Sequence, residues 1–341
     1  MQPVTLFLCG DVMTGRAVDQ ILWHPNAPDL HEPFIRDARD YVELAEEANG
    51  PIPRPVDAAY IWGDALVELQ RVVPHARIIN LETSITSSDA YDRGKSIHYR
   101  MHPAHGPCLT SARIDVCVLA NNHVLDYGRG GLSDTLRTLM SLGIATAGAG
   151  ENVTQAQAPA IVPIAEGQRL LVFSLGANSA GTPSSWAVTR SQAGVDYLED
   201  LSDASADRLL ARIANVRRAG DVVIVSLHWG SNWGYDVSAA KERFAHRLLD
   251  GEVSIVHGHS SHHPRPIEVY RGKLILYGCG DFLTDYEGIR GHEEYRGDLA
   301  LMYFVTLEPE HGRLLALRLV PMRIRRLQAT YASVAEADWV G

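Results

Sequence analysis

A chain of 341 residues can bury a large core in one big α/β domain or two smaller ones. With 46% hydrophobic and 21% charged residues it has ordinary globular composition, not that of a disordered chain, and no apolar run reaches the roughly 18 to 20 residues that cross a bilayer. A formal net charge of −10 argues against nucleic acid as partner, because phosphate binding needs a basic footprint.

The N-terminal "MQPVTLFLCGDVMTGR" has an apolar run too short for an export signal, with Gly10 and Asp11 where such a signal would continue. It reads as a first core strand, and a cytoplasmic protein without a membrane partner is expected. The segment 25–60 follows ("HPNAPDLHEPF", "NGPIPRPVDAAY"), too long for a simple connector, and reads as a lid-like insertion over the sheet edge. Further strand-like runs are "ARIINLET", ending near Glu82, and "IDVCVLANNH", ending at His123; later come "RLLVFSLG", "DVVIVSLHWG", "VSIVHGHS" and "KLILYGCGD". Continuous Val/Ile/Leu runs of this length fit strands covered on both faces. Helical periodicity predicts helices over 130–142, 203–218 and 238–250, and "PEHG" predicts the turn of a C-terminal hairpin over 298–325 that extends a second sheet. The four cysteines lack CxxC spacing and read as reduced and structural.

Polar residues fall at the ends of these runs. Asp11, Glu82, Asn122, His123, His228, His259 and Asp281 each stand at the carboxyl end of an apolar strand. Ligands of open α/β sheets bind at those ends, so residues scattered over the chain are expected to converge on one crevice. The stretch "SIVHGHSSHHP" (254–264) carries four histidines in seven positions and raises the choice between metal ligation, acid/base chemistry and surface placement.

Taken in order, "GDVM", "NLET", "ANNHVLDYG", "SLHWG" and "HGHSSHHPRPIEVYRGKLILYGCGDF" resemble the CapA, or poly-γ-glutamate biosynthesis, family of the calcineurin-like metallophosphatase superfamily, over residues 4–325. The resemblance extends to its lasso-peptide epimerase branch. It implies a single α/β domain over 1–341, a four-layer α/β/β/α sandwich with the active site at the strand ends. Carried over residue by residue, the metallophosphatase motifs fall on Asp11, Glu82, Asn122 with His123, His228 and His259. Met13 and Ser261 stand where two motif histidines belong, and both missing nitrogens would serve the same metal. The resemblance therefore implies one divalent ion, Ca²⁺, Mg²⁺ or Mn²⁺ ahead of Zn²⁺, held by Glu82, Asn122, His228 and His259, with His262 as a spare nitrogen beside Ser261.

Without a second metal, Asp11 and His123 become proton-transfer candidates. Asp126 and Asp281 are possible orienting carboxylates, and His257 and His262 could supply the other side of the pocket. Asp126 could equally cap a turn and His257 could point into the core. His263 reads as a surface turn residue, and Asp285 and Glu287 as a solvated face. Arg100, Arg265 and Arg296 are candidate carboxylate clamps and Trp233 a candidate pocket floor. Three activities are expected from this set: epimerisation at a peptide α-carbon, for which two His/Asp pairs beside a metal are suited, metal-dependent hydrolysis of a phosphoester or amide, and a role in poly-γ-glutamate or capsule assembly. The expected substrate is a peptide or a polyglutamate-like chain. A non-enzymatic binding module is the alternative from another class, and the oligomeric state stays open.

Overall fold

Strands that are apolar on both faces need cover on both sides, and the alternation along each strand shows where that cover lies. In the computed structural model, which describes residues 2–165 and 167–341, Leu6 and Leu8 of the strand Val4–Val12 face one core and Phe7 and Cys9 another. In the strand Gln168–Ala177, Leu170 and Val172 face the first of these cores, while Leu171 and Phe173 face a third. The shared core lies between two mixed sheets. Among the described residues these are an eight-stranded sheet built around Val4–Val12 and a seven-stranded sheet around Val222–His228. Helices cover the outer faces: Gly128–Ser141 and Ala38–Asn49 on the first, Asp203–Val216 and Ala239–Asp250 on the second. The result is a four-layer α/β/β/α sandwich.

The central strands run parallel within each sheet. Val4–Val12, Ala76–Leu81 and Val116–Val118 are parallel neighbours in one, and Gln168–Ala177, Val222–His228, Ile255–His259 and Lys273–Leu276 in the other. Their carboxyl ends therefore open on one edge. The hairpin formed by Leu299–Glu308 and Arg313–Ile324 differs from expectation. It does not extend the second sheet, because Leu299–Glu308 pairs antiparallel with Val4–Leu8 and occupies the remaining edge of the first strand.

The insertion over 25–60 carries the helix Ala38–Asn49, whose first turn is capped by Asp37 accepting from the Arg39 N–H at 2.9 Å. It is tied down by a buried ionic group. The Arg16 guanidinium holds Asp285 through two donors, at 3.0 and 2.5 Å, and Glu32 at 2.9 Å, and its face lies over the Tyr41 ring at 4.0 Å. Asp285 is thus wholly buried and paired, not part of a solvated face. Glu287 is also buried, accepting from the backbone N–H groups of Arg326 and Leu327 at 2.7 and 2.5 Å. The partners of both carboxylates lie far away in sequence.

Removing one partner of a buried ion group strands the others without water or counter-charge. Arg16→Met is therefore expected to cost about 3–5 kcal/mol of unfolding free energy, read as a lowered midpoint in urea denaturation. Removing the exposed Arg208 partner of Glu199 should leave the midpoint unchanged within error.

Candidate metal centre and its flanking dyads

Register builds the site. In neighbouring parallel strands, residues in register lie about 4.8 Å apart and share a face. His228 is in register with His259, Ser226 with His257, and Asp11 with both Asn80 and Asp281. The even positions of Val222–His228 that begin with Val222 and Ile224 in the inter-sheet core end in Ser226 and His228, so one face turns from apolar to polar toward the crevice. Asp11 reaches this face by a different route. Plain alternation would send it with Phe7 and Cys9 to the helix-covered side, but the pairing with Ala76–Leu81 shifts register between Leu8 and Asp11, and such a bulge re-aims the side chain. Gly10 permits the close approach of the strand ends, since a Cβ there would stand 1.6 Å from the Gly280 carbonyl oxygen.

Asp11, His228 and His259 bring ligand atoms to within 4.8 Å of one another, all buried. The His228 and His259 Nδ1 atoms are 2.8 Å apart, so one ring presents a lone pair to the other. His228 Nε2 lies 3.0 Å from Asn122 Oδ1 and 3.8 Å from Glu82 Oε1, and His259 Nδ1 lies 3.8 Å from Asp11 Oδ1. Asn80 holds the two carboxylates in place, donating to Asp11 at 2.7 Å and Glu82 at 3.1 Å. The Ser260 N–H donates to the other Asp11 oxygen at 3.1 Å from a backbone at φ 98, a strained conformation for a non-glycine residue at the end of a strand.

The electrostatics of this donor set fit a cation. Burial, followed by the Asp281 charge, pushes Asp11 up to about 7, and burial together with Asp11 pushes Glu82 well above the usual carboxylate range. Burial and neighbouring imidazoles push His228 and His259 well down, so both rings are neutral. Carboxyl groups whose charge is uncompensated and imidazoles kept neutral are the groups a divalent ion takes. Of the residues expected to hold a metal, His228 and His259 converge with Asp11, expected as a proton-transfer group, while Asn122 and Glu82 border His228 at 3.0 and 3.8 Å.

Two histidine–aspartate dyads flank the donor set. His123 Nδ1 lies 2.6 Å from Asp126, which also accepts from Lys95 Nζ at 2.5 Å and the Tyr99 N–H at 2.7 Å. Asp126 is thus the orienting partner of His123, not a turn cap. Burial drives the His123 pKa down to about 4 despite Asp126, leaving a neutral ring with Nε2 3.9 Å from Glu82. His262 Nδ1 lies 3.0 and 3.1 Å from the two Asp281 oxygens. Burial works against its charge, yet Asp281 holds its pKa above the usual histidine value, and Nε2 lies 2.9 Å from the Asn232 amide nitrogen. His123 and His262 both line one cavity of about 540 Å³, with Glu82, Asn122 and His228 in its wall.

Other expectations fail for clear reasons. His257 does not line the site cavity: buried, it engages the Cys9 carbonyl at 2.8 Å and Ser226 Oγ at 3.1 Å, and Ser226 in turn meets His259 at 2.9 Å, so it supports a neighbouring ring. Arg100 donates to the Ser88 carbonyl and Asp89, both at 2.6 Å, and Arg265 to the carbonyls of Asp236, Ser231 and Trp233; neither lines the site cavity. Arg296 pairs with Asp298 and Glu336 and, with Trp233, borders a second cavity beyond His262. His263 is buried against Tyr295 and is not a surface turn residue. Residues outside the expected set also line the site cavity: Arg16, Tyr41, Lys95, Tyr99 and Tyr286. Only the run "GDVMTGR", which carries Arg16 just past Asp11, offered a signal for any of them.

Fold and site together define an α/β/β/α sandwich whose strand ends carry a buried His/Asp donor set. A solved structure described as a novel phosphatase from Mycoplasma pneumoniae shares this fold, with a TM-score of 0.51 at 11% identity over 99% of this chain and 97% of that one. The model of the bacterial capsule synthesis protein PGA_cap family matches residues 5–286, and the chain belongs to that family. It is 48% identical to a probable polyglutamine synthesis accessory protein of Mycobacterium tuberculosis, over 99% of this chain and 89% of that protein. It is 26% identical to the PGA biosynthesis protein CapA of Bacillus subtilis, over 81% of this chain and 62% of that one. Among the described residues no helix is long and apolar enough to cross a membrane.

A ligand that binds only the folded state raises stability by about 2.7 kcal/mol at 100 times its dissociation constant. Adding Mn²⁺ to chelator-treated protein should therefore raise the melting temperature by several degrees. Replacing His228 or His259 with alanine should abolish the increment, and Arg265→Lys should retain it.

Proposed function

We propose that the protein is a divalent-cation-dependent enzyme that transfers a proton at the α-carbon of a residue within a peptide or polyglutamate-like chain, and so epimerises it. The observation that carries this reading is the pair of His–Asp dyads, His123–Asp126 and His262–Asp281, on one cavity beside a cation donor set. Inverting a carbon centre needs one group to remove its proton and another to return one from the opposite face. His123 Nε2 takes the α-proton, with Asp126 and Lys95 holding the ring in the tautomer that leaves this nitrogen open. His262 returns a proton and is recharged through its contact with Asp281 and solvent. A cation at Asp11, Glu82, Asn122, His228 and His259 would polarise the adjoining carbonyl and stabilise the charge left on it. One ion is expected, with Ca²⁺, Mg²⁺ or Mn²⁺ matching the oxygen donors and Zn²⁺ the imidazoles. The capsule and polyglutamine names of the relatives support a chain of linked glutamyl-type residues as substrate.

Metal-dependent hydrolysis is the second reading, favoured by the Asn122, His228 and His259 donors that match the metallophosphatase motifs. Incubation of the protein and Mn²⁺ with a glutamyl peptide in D₂O separates the two. Epimerisation places deuterium at an α-carbon without shortening the chain, whereas hydrolysis gives fragments and no label. His123→Asn and His262→Asn are each expected to lower the labelling rate by about 10²-fold or more. Asp126→Asn should lower it by mis-setting the His123 tautomer. Cleavage without label would overturn the proposal.

A further inference from the structure

Two tyrosines line the site cavity and have no part in the donor set or the dyads. Each packs on one dyad ring. Tyr99 meets His123 edge to face, with ring centroids 4.7 Å apart and planes at 88°, and Tyr286 meets His262 at 5.2 Å and 82°. Their hydroxyls join, Tyr99 donating to Tyr286 at 3.1 Å, so the two phenols link one dyad to the other.

Both rings are held in place. The Tyr99 N–H donates to Asp126, the partner of His123, at 2.7 Å. Asp285, next to Tyr286 in the chain, holds Arg16, whose guanidinium carbon lies over the Tyr99 ring at 4.4 Å and the Tyr286 ring at 5.8 Å. Burial raises both phenols well above their ordinary pKa against the pull of the Arg16 charge, so each keeps its proton. The chain of donors nevertheless ends weakly. Among the described residues the Tyr286 hydroxyl finds one acceptor, the Met13 thioether at 3.5 Å, and sulfur is a poor acceptor. Met13 directly follows the strand Val4–Val12 that carries Asp11, so this underused donor is aimed at the end of the strand on which the donor set is built.

We propose that Tyr286 is a further catalytic residue, whose hydroxyl leaves the Met13 sulfur and donates to the carbonyl oxygen of the reacting residue, with Tyr99 as the positioning residue that holds it. This rests on the proposed proton transfer. As His123 takes the α-proton, the electron pair of the broken C–H bond spreads onto the adjoining carbonyl oxygen. A neutral donor already placed there stabilises that charge. When His262 returns a proton from the opposite face, the pair goes back to carbon and the hydroxyl returns to sulfur.

Oxamate, a planar anion shaped like the charged intermediate, tests the donor without turnover, by calorimetry on the Mn²⁺-loaded protein. Tyr286→Phe keeps the ring, removes only the hydroxyl, and should weaken oxamate at least about tenfold. In α-deuterium labelling of a glutamyl peptide it should lower kcat by about 10²-fold and leave KM unchanged, the pattern of a contact made as charge develops. Tyr99→Phe should lower kcat by a smaller factor, again without a change in KM. Met13→Leu, which keeps the volume and removes the sulfur, should bind oxamate at least as tightly as the unaltered protein. Failure of oxamate to bind the unaltered protein, unchanged affinity in Tyr286→Phe, or a loss in Met13→Leu as large as in Tyr286→Phe would each overturn the proposal. Labelling that persists undiminished in Tyr286→Phe removes the hydroxyl and keeps the reaction. An unaltered protein that gives no label, with oxamate weakened in Tyr286→Phe, removes the reaction and keeps the hydroxyl as donor to a bound anion.

Discussion

Three carboxylates, Asp11, Glu82 and Asp281, lie buried at the seam where two parallel sheets meet, and the rest of the site is arranged around their charge. Burying one ionised carboxylate is costly, and burying three in proximity raises the cost, as the upward pKa shifts of Asp11 and Glu82 record. The molecule answers with directed donors, from Asn80 to Asp11 and Glu82, from the Ser260 backbone to Asp11, and from the His262 ring to Asp281. Those donors offset part of the charge. A cation bound at the donor set would balance the remainder, and its binding and the stability of this edge of the sandwich would then be two aspects of one equilibrium.

The apolar four-layer core is what makes this arrangement rigid. Leu6, Leu8, Ile224 and Ile255 fill the space between the sheets, so the strand ends that carry Asp11, His228 and His259 cannot drift relative to one another without opening close-packed apolar surface. His123, Asp126 and His262 stand on loops just beyond those strands, and Asp281 opens a short strand in register with Asp11. Tyr41, brought by the insertion and fixed through Glu32 and Arg16, closes the far wall of the cavity. The insertion is thus held by a buried ionic group instead of by strand pairing, a form of attachment that a loop can make wherever a single arginine is within reach.

The sequence made the sandwich legible because strands buried on both faces leave uninterrupted Val/Ile/Leu runs, and polar residues at their ends are unmistakable against them. Asp11, Glu82, Asn122, His123, His228, His259 and Asp281 stand out in this way, whereas His262 stands out only within the histidine cluster of "SIVHGHSSHHP". What stayed hidden depends on distance and on geometry without period. Asp285 read as solvated because its partner Arg16 is 269 positions away. Lys95 sits in "YDRGKSIHYR", a loop with no periodic pattern, and becomes visible only once it folds onto Asp126. The bulge that turns Asp11 inward changes one step of register and leaves no mark in composition. Arg100 and Arg265 misled for the opposite reason: a guanidinium suits backbone carbonyls as well as substrate carboxylates, and sequence does not say which of them it will meet.

The two motif departures acquire a physical sense from their surroundings. Met13 is buried with its Sδ 3.5 Å from the Tyr286 hydroxyl, so the position of a ligand nitrogen is filled by a thioether packed on an aromatic ring. Ser261 turns its hydroxyl to the His263 carbonyl at 2.9 Å, inside its own loop. His262, one residue on, does not move into the place of the missing ligand, because Asp281 claims its Nδ1. Asp281 is in register with Asp11, so the strand pairing that places one carboxylate in the donor set also places the carboxylate that engages His262. At both departures the side chain is engaged by the protein itself, Met13 on Tyr286 and Ser261 within its own loop.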